Sequence, residues 1–514
     1  MKRRQFAIKL TELVSNLIMQ RLFYSGKLLL SRSNLGCKIW PMERTLALET
    51  TKKVGKKVRL CGWVNSRRDH GKLVFVDLRD RSGIIQLVIS LLDFADSSTL
   101  RVKNPQPEGF SSAKSSLIRL HLEDVIEVVG LVKNRTPQTI NPKIPTGKVE
   151  VQVEKIKILA KSAELPFDMG QPELKLELPT LLDFRPLTLR HPKISAIFKV
   201  QEVIIDSFRQ TLKNLGFTEF QAPIIVPATA EGGAEVFSVN YFDFKTYLGQ
   251  SPQLYKQIML GVFERVFTVT HAFRAEPSVT TRHLTEYLSL DAEMAFVDSW
   301  QEIMDTVEDV VKEILQAVEK KCFQELVMYK TTVPLITVKI PRLKLREAQE
   351  IIYQRTKKDK RKEPDLQPAD EEEICQWAKK EKGSDFVFIT HYPVKKRPFY
   401  TYPDPDEPEY TLSFDLLGRG LEWVTGGQRI NDYEKLVENI KKWGNDPANF
   451  ELYLQAFKYG MPPEGGFAFG AERMTMKILE LANIREASAF PRDLERVDIR
   501  LYEKKKQTDK KIAG

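Results

Sequence analysis

Short segments of alternating apolar and polar residues fill the first part of the chain. They run from Val58 to about Ser162 and break at Gly or Asp, as in VRLCGWVNSRRD, KLVFVDLRDRSG and IIQLVIS. Such alternation is typical of half-buried β-strands. Five such strands within about 100 residues predict a small barrel, for which the OB-fold is the common architecture. Residues 91–115 are predicted to be a loop inserted between strands.

The apolar positions take on a helical period after residue 190. Apolar residues recur every three or four positions there, at Ile197, Val200, Ile204, Phe208 and Leu212. This spacing predicts an amphipathic helix that buries one face. Ser195 is expected to cap its start, and Gly216 to end it in a left-handed turn. The following segment, FTEFQAPIIVPA, is predicted to be a strand interrupted by Pro223.

Strands and helices are mixed between Glu231 and Arg473, and antiparallel signals dominate. RVFTVTHAFRAE and LSLDAEMAFVD are predicted to be neighbouring strands around a loop, and SWQEIMDTVEDVVKEILQAVEKKC an amphipathic helix. Residues 356–373 are strongly charged and are expected to be solvated, without core residues. Taken together, the pattern predicts an α+β protein. An N-terminal OB-fold β-barrel is followed by a domain with an antiparallel sheet flanked by helices.

Length and composition agree with a multidomain globular protein. The 514 residues exceed what one core buries, and 42% of them are hydrophobic and 29% charged. No apolar run reaches the roughly 18 residues that span a bilayer, so no membrane association is expected. The predicted divisions are a basic extension (1–41), the barrel (42–163), a linker (164–190), the second domain (191–502) and a basic tail (503–514).

Positive charge is concentrated at the amino terminus. Residues 1–41 contain four Lys, four Arg and one Glu, which accounts for most of the formal net charge of +10. The high pI is therefore weak support for nucleic-acid binding. We favour an annexed upstream segment, with translation starting at Met42, over an organellar targeting peptide. The four cysteines are widely spaced without a CxxC pair, which favours a reducing, cytoplasmic environment and disfavours a zinc site.

The sequence has no glycine-rich nucleotide loop of the GxxxxGK[ST] type, so any nucleotide must be held by side chains. Candidates lie in three segments: FRAEPSVTTRHL with Arg274, Glu276, Arg282, His283 and Leu284; GLEWVTGGQR with Glu422, Thr425 and Arg429; and GGFAFGAERM with Glu472 and Arg473. Arginine presents a planar fork to phosphate oxygens, and carboxylates nearby can hold Mg²⁺. Each segment alone is a frequent chance match, whereas their order behind a strand barrel is specific.

This ordered set resembles the three signature motifs of class II aminoacyl-tRNA synthetases. The helix with FTEFQAPII resembles motif 1, with Pro223 at its proline position. FRAEPSVTTRHLTEY resembles motif 2, and GGFAFGAERM resembles motif 3. The leading barrel resembles the anticodon-binding OB domain of the aspartyl, asparaginyl and lysyl subgroup. QSPQLYKQ, which contains Lys256, resembles the aspartyl-tRNA synthetase pattern, since an aspartate side chain needs a cation to offset its buried charge. The resemblance is to the archaeal and eukaryotic-like type, without the bacterial insertion domain.

The resemblance implies a role for each matched residue. Aspartate would be bound by Glu231, Gln253, Lys256, Arg274, Thr425 and Arg429, with Arg274 and Arg473 as the catalytic residues. ATP would be bound by Arg274, Glu276, Arg282, His283, Leu284, Glu422, Gly470, Ala471, Glu472 and Arg473. Mg²⁺ would be held by Glu422 and Thr425. An anticodon base would stack on Phe75 and be read by Arg67, Gln86 and Glu150, although a core position is the ordinary interpretation of Phe75.

The implied activity is ATP-dependent formation of aspartyl-adenylate and transfer of aspartate to tRNA-Asp. A homodimer is implied, while tRNA-Asn as a second substrate, an amidotransferase partner and a tRNA-contacting basic arm are left open. Three alternatives remain. Lys256 disfavours an asparaginyl-tRNA synthetase, and the barrel disfavours a ligase that makes free asparagine. The intact arginine and carboxylate set disfavours a non-catalytic RNA-binding paralogue.

Overall fold

The computed structural model describes residues 42–90, 120–228, 236–277, 279–336, 339–498 and 500. The predicted loop at 91–115, the terminal segments 1–41 and 503–514, and Glu231 lie outside the described residues. The chain divides into two compact units between Gly170 and Gln171, inside the segment that was expected to be a linker. None of the described helices is long and apolar enough to cross a membrane.

The first unit is a closed five-stranded barrel. Its strands are β1 (Lys57–His70), β2 (Leu73–Asp80), β3 (Gly83–Ser90), β4 (Val125–Asn134) and β5 (Val149–Ala160). They close in the order β1-β2-β3-β5-β4, which confirms the predicted barrel. Because side chains alternate across each strand, Val74, Val76 and Leu78 of β2 all enter the core. The intervening residues of β2, Phe75, Asp77 and Arg79, are only partly buried and face outward.

The second unit is built on a mixed eight-stranded sheet. The strands of the second unit, in chain order, are β6 (Thr218–Glu219), β7 (Ile225–Val226), β8 (Ser238–Tyr241), β9 (Phe244–Leu248), β10 (Arg265–Phe273), β11 (Glu286–Ala295), β12 (Arg342–Lys344), β13 (Phe386–Thr390), β14 (Ser413–Gly418), β15 (Leu421–Gln428) and β16 (Glu464–Gly470). The large sheet has the order β12-β13-β14-β15-β16-β11-β10-β6, and β7-β9-β8 form a small separate sheet. The centre of the large sheet is antiparallel, as expected, and parallel pairing of β12 with β13 and of β10 with β6 makes it mixed.

Helices cover this sheet. They are α1 (Leu178–Asp183), α2 (Arg185–Thr188), α3 (Pro192–Asn214), α4 (Gln253–Phe263), α5 (Gln301–Lys321), α6 (Phe323–Tyr329), α7 (Leu345–Thr356), α8 (Pro368–Lys382), α9 (Tyr433–Lys442), α10 (Glu451–Lys458) and α11 (Ala471–Ile478). Single 3-10 turns occur at Leu48–Lys52, Pro137–Thr139, Val394–Lys396, Pro447–Phe450 and Ile484–Ala487. Apolar side chains of α3, α5 and α11 share one core with the central strands, so the sheet is held rigidly where the charged motifs lie.

Helix α3 begins before Ser195, so the predicted cap is wrong. Pro192 lies in its first turn, and Nδ1 of His191 accepts the backbone N–H of Lys193 at 3.2 Å. The fixed φ of proline suits a first helical turn, and the chain therefore enters the helix earlier than the cap chemistry of serine suggested. At the other end, Gly216 has a φ of +83°, as expected for a left-handed helix end.

The charged stretch 356–373 is only partly solvated, contrary to the prediction. Helix α8 begins within it at Pro368, and Leu366 is buried in a core shared with α7 and β13. The apolar residues of this region are sparse but recur at helical spacing, as Ile374 and Ala378 show. High charge therefore concealed a short amphipathic helix, and α8 carries a residue that faces the candidate site.

Candidate active site

A pocket of about 610 Å³ lies on the large sheet of the second unit. Its lining includes Arg274, Glu276, Arg282, His283, Leu284, Glu422, Thr425, Gly470, Glu472 and Arg473. The pocket therefore gathers the motif residues of all three segments, although they are separated by up to about 200 residues in the sequence. Ala471, which was predicted with them, is fully buried in the core of the second unit instead.

Strand register explains how these segments meet. Strand β16 lies between β11 and β15, with Ser289 opposite Gly470 and Thr425 opposite Ala468. These four residues all line the pocket. Helix α11 begins directly after β16 and brings Arg473 to the same place, because a side chain in the first helical turn stays close to the strand end.

The charged groups of the pocket are paired across the sheet. Nη1 of Arg473 donates to Oε1 of Glu422 at 3.2 Å. The guanidinium carbon of Arg274 lies 5.6 Å from the ring centroid of Tyr287. Two guanidinium groups, one against an aromatic face and one against a carboxylate, give the pocket the groups that bind phosphates and a planar base.

The segment between β10 and β11 supplies a histidine and a third arginine. The Thr280 hydroxyl and Nδ1 of His283 are hydrogen-bonded at 2.8 Å. Burial, and then the charge of Arg473, lowers the pKa of His283 below its usual value. Its imidazole is therefore neutral near pH 7 and can accept a proton. Arg282 donates to Glu371 of α8, a partner that the sequence analysis assigned to a solvated stretch.

Glu472 has a structural role in addition to lining the pocket. Its Oε2 accepts the backbone N–H of Leu288 at 3.1 Å. Burial raises the pKa of this carboxyl group to about 7. This hydrogen bond joins α11 to β11. Glu472, to which the resemblance assigns an ATP-binding role, therefore also anchors α11 on the sheet.

A second carboxylate lies next to the predicted metal residues. Asp415 of β14 is the cross-strand partner of Thr425. Desolvation, and then the negative charge of Asp415, raises the pKa of Glu422. Arg397 connects the two strands, since it donates to Thr425 Oγ1 at 3.1 Å and to Asp415 Oδ2 at 2.7 Å. Asp415 was not among the residues predicted from the sequence, although a two-residue turn between β14 and β15 places it beside the GLEWVTGG segment.

Three of the six residues predicted for the amino acid, Gln253, Lys256 and Arg429, form a buried cluster beside the pocket. Nζ of Lys256 lies 3.1 Å from Asp291 Oδ2 and 2.8 Å from Glu293 Oε2. Nε of Arg429 donates to Glu293 Oε1 at 2.8 Å, and Nε2 of Gln253 lies 3.4 Å from the same oxygen. Lys256 has only 1% of its side chain exposed. The three predicted residues are thus brought together by acids of β11 that the sequence analysis did not identify.

Ser289 connects this cluster to the pocket. It lines the pocket, and its hydroxyl donates to Oδ1 of Asp291, whose other oxygen is bound to Lys256. Gln253, Lys256 and Arg429 are not among the residues that line the nucleotide pocket within the described chain. The signal for the missing acids was the LDAE sequence of β11, where two acids two residues apart share one buried face of a strand.

In the first unit, the four predicted anticodon residues lie on neighbouring strands. Phe75 alternates with the core residues of β2 and is half-buried with its edge against His70, so its ordinary interpretation as a core residue is wrong. Nε2 of Gln86 donates to Glu150 Oε2 at 3.1 Å. Arg67 forms a 2.9 Å ion pair with Asp69. These residues form an aromatic and polar face on the barrel, to which Arg68 adds a further hydrogen bond at Gln86.

A strand barrel with such a face, in a chain that also carries an arginine-lined pocket on a mixed sheet, is typical of a protein that uses a nucleotide and binds a nucleic acid. Comparisons with known proteins agree. Residues 177–494 match the family of class II tRNA synthetases (D, K and N), and residues 58–159 match the OB-fold nucleic acid binding domain. The chain belongs to the class II tRNA synthetases of the D, K and N group.

Named relatives cover nearly the whole chain. The aspartate–tRNA(Asp/Asn) ligase of Deinococcus radiodurans is 41% identical, over 89% of this chain and 99% of that one. The aspartate–tRNA(Asp) ligase of Pyrococcus furiosus is 38% identical, over 86% and 96%. Among solved structures, the asparaginyl-tRNA synthetase of Pyrococcus horikoshii complexed with asparaginyl-adenylate matches with a TM-score of 0.77 and 33% identity, over 88% and 99%.

Proposed function

We propose that this chain is an aspartate–tRNA ligase, which activates L-aspartate with ATP and transfers it to the 3′ end of tRNA-Asp. The observation that carries the proposal is the buried pair Lys256 and Arg429, which are joined by Glu293. Lys256 is linked further, through Asp291 and Ser289, to a pocket lined by arginines. Two buried cations suit a substrate with a carboxylate side chain, because burying that charge unpaired would be costly. The aspartate-specific names of its relatives support the same amino acid.

The first step needs positioning rather than a protein nucleophile. The α-carboxylate of aspartate attacks the α-phosphorus of ATP, a P–O bond forms, and pyrophosphate leaves. Arg274 would contact the α-phosphate and Arg473 the γ-phosphate, and both would offset the charge that develops on the phosphate oxygens. Glu276 would accept a hydrogen bond from the adenine amino group. Arg282 and His283 would close over the nucleotide. Gln253, Lys256 and Arg429 would orient the aspartate, with Glu231 as the ligand of its ammonium group.

Mg²⁺ suits the oxygen donors at this site. Asp415 lies close enough to Glu422 for its charge to raise the pKa of Glu422, and Thr425 adds a hydroxyl opposite Asp415. Carboxylates combined with substrate phosphates are the usual Mg²⁺ ligands in nucleotide enzymes. Glu422 and Thr425, with Asp415, would hold the ion, and the ion when bound would neutralise phosphate charge.

The second step transfers the aspartyl group to tRNA. The 3′-terminal ribose hydroxyl attacks the carbonyl carbon of the adenylate, the mixed anhydride breaks, and AMP leaves. His283, whose pKa is lowered, could take the hydroxyl proton, and a phosphate oxygen of the adenylate is the alternative acceptor. Phe75 would stack an anticodon base, while Arg67, Gln86 and Glu150 would read base edges.

Charging assays with full-length protein, and with protein starting at Met42, test this function. Transcripts of tRNA-Asp and tRNA-Asn are offered with labelled aspartate, and with labelled asparagine as the competing substrate. Charging of tRNA-Asp by aspartate supports the proposal, and charging by asparagine alone refutes it in favour of an asparaginyl enzyme. Charging of tRNA-Asn by aspartate as well would define a relaxed enzyme that requires an amidotransferase partner. We also propose a homodimer, which sedimentation of the same preparation tests.

A further inference from the structure

The buried charge cluster of the second unit contains one more acid than its cations balance. Lys256 of α4 and Arg429, which follows β15, face Asp291 and Glu293 of β11. Glu464, the first residue of β16, is fully buried in the same cluster. Two cations therefore stand against three carboxyl groups in a region with little access to water.

Glu464 is bound to neutral groups, unlike the other two acids. Nε2 of Gln257 donates to its Oε1 at 2.5 Å. The amide of Gln257 is held in this orientation because its own oxygen accepts from Tyr453 at 3.1 Å and from Gln253 at 2.9 Å. Within the described part of the chain, no donor is bound to Oε2 of Glu464. The charge of Glu293, which is buried in the same cluster, acts on this carboxyl group.

One of these two carboxyl groups is expected to carry a proton, because two ionised carboxylates buried in the same cluster repel each other. Glu293 binds both cations, through Oε1 to Arg429 and through Oε2 to Lys256, each at 2.8 Å. Burial raises the pKa of Glu293, but the charges of Arg429 and Lys256 lower it below its usual value. Burial, and then Glu293, raises the pKa of Glu464 well above its usual value. The proton of the pair therefore belongs to Glu464.

We propose, resting on the function proposed above, that Glu464 is a positioning residue that carries a proton at neutral pH and so adapts the amino-acid site to a carboxylate side chain. With Glu464 neutral, Lys256 and Arg429 balance Asp291 and Glu293, and no third negative charge opposes the substrate. An ionised Glu464 would repel aspartate, whereas a neutral amino acid of the same size would be little affected. Glu464 acts through its neighbours Glu293 and Gln257.

Loss of the proton from Glu464 would change the KM for aspartate in a defined direction. As pH rises and Glu464 loses its proton, the cluster gains a negative charge, and the KM for aspartate is expected to increase. The KM for ATP has no such dependence on this cluster. The charged and titratable groups around Glu464 come from four elements. They are Glu293 and Asp291 of β11, Lys256 of α4, Arg429 after β15, and Tyr453 of α10. Only the Glu464-dependent part of the effect is removed by a neutral side chain at position 464.

The test is aspartate-dependent ATP–pyrophosphate exchange by full-length protein across a range of pH. Glu464→Gln keeps the size and the neutral charge, so its KM for aspartate at neutral pH is expected within about twofold of wild type and with a weaker alkaline rise. Glu293→Gln removes the ionised member of the pair and is expected to raise that KM by roughly tenfold or more. Glu308→Gln, at a buried glutamate of α5 paired with Lys312, is the matched control and should leave both unchanged.

Difference infrared spectroscopy measures the proton directly. The Glu464→Gln protein is expected to lack one carbonyl stretch of a protonated carboxylic acid that wild type shows at neutral pH. Three results would overturn the proposal. The first is that Glu464→Gln loses no such band. The second is a rise of the aspartate KM by about tenfold in Glu464→Gln at neutral pH, and the third is the same pH dependence of the aspartate KM in wild type and Glu464→Gln.

If Glu464→Gln does not fold, wild type alone decides: a constant aspartate KM at alkaline pH refutes the proposal. A wild-type protein without any aspartate-dependent exchange refutes the proposed function instead, and the infrared band still reports the proton on Glu464.

Discussion

Arg282, in the loop over the nucleotide pocket, is paired with Glu371 of α8. Arg473, on the same pocket, also lowers the pKa of Glu371, which burial raises. A guanidinium that is bound to a carboxylate is not fully available to a phosphate, and a negative charge near the pocket repels ATP. In the ATP-binding role proposed above for Arg282, this pair would compete with ATP for the guanidinium group.

We predict that Glu371→Gln lowers the KM for ATP in ATP–pyrophosphate exchange by roughly two- to tenfold, since it removes a competing partner. Glu373→Gln is the matched control, because Glu373 lies on the same helix and pairs with Arg355 instead. The KM for ATP should be unchanged in that variant. An increased KM in Glu371→Gln would show that the pair holds Arg282 in its working position.

The Glu371 pair also shows where sequence reasoning ends. Ten pocket residues were found from three motifs, because each motif is local and the strand order that joins them belongs to the fold. The partners of those residues were not found. Glu371 lay in a stretch whose charge predicted solvent, and Asp291, Glu293 and Glu464 are buried acids that hydrophobic patterning treats as exceptions. Long-range charge pairing has no period in the sequence, so only the folded register shows it.

Glu472 is predicted to make stability depend on pH. Its pKa is about 7 in the folded protein and near 4.5 when exposed, so the folded state holds the proton more tightly. The associated stability is complete below about pH 4.5 and is lost between about pH 4.5 and about pH 7, by up to roughly 3 kcal/mol. Glu472→Gln keeps an acceptor for Leu288 and should remove this loss.

Urea unfolding of Glu472→Gln and wild type at about pH 4.5 and about pH 8.5 checks this prediction, because these two values lie at the start of the expected loss and beyond its end. The variant is expected to gain stability relative to wild type at the higher pH. Glu313→Gln, at an exposed position of α5, controls for loss of a surface charge. A difference between Glu472→Gln and wild type that is the same at both pH values would contradict the argument.

Arg397 is predicted to be needed for adenylate formation because it joins Asp415 to Thr425. Its guanidinium carbon also lies 4.0 Å from the ring centroid of Tyr392, so the fork is held flat. Lysine cannot bond both partners in this geometry, and Arg397→Lys is expected to lower kcat for exchange by roughly tenfold or more. Arg419→Lys, at the turn between β14 and β15, is the control for an arginine that bonds backbone carbonyls. If kcat falls equally in Arg397→Lys and Arg419→Lys, in proportion to the fall in their thermal midpoints, Arg397 contributes only to stability.

Phe75 provides the test of the barrel face. Stacking of one base on an aromatic ring contributes about 1–3 kcal/mol, so Phe75→Ala is expected to raise the KM for tRNA by roughly 5- to 100-fold. Aspartate-dependent ATP–pyrophosphate exchange without tRNA should stay at the wild-type rate, because the substitution lies in the other unit of the chain. Trp63→Ala is the matched control: Trp63 is a partly exposed aromatic of β1 that lies outside the predicted anticodon set. If Trp63→Ala weakens tRNA charging as much as Phe75→Ala does, the anticodon does not stack at Phe75, and the nucleic-acid face of the barrel must be sought elsewhere.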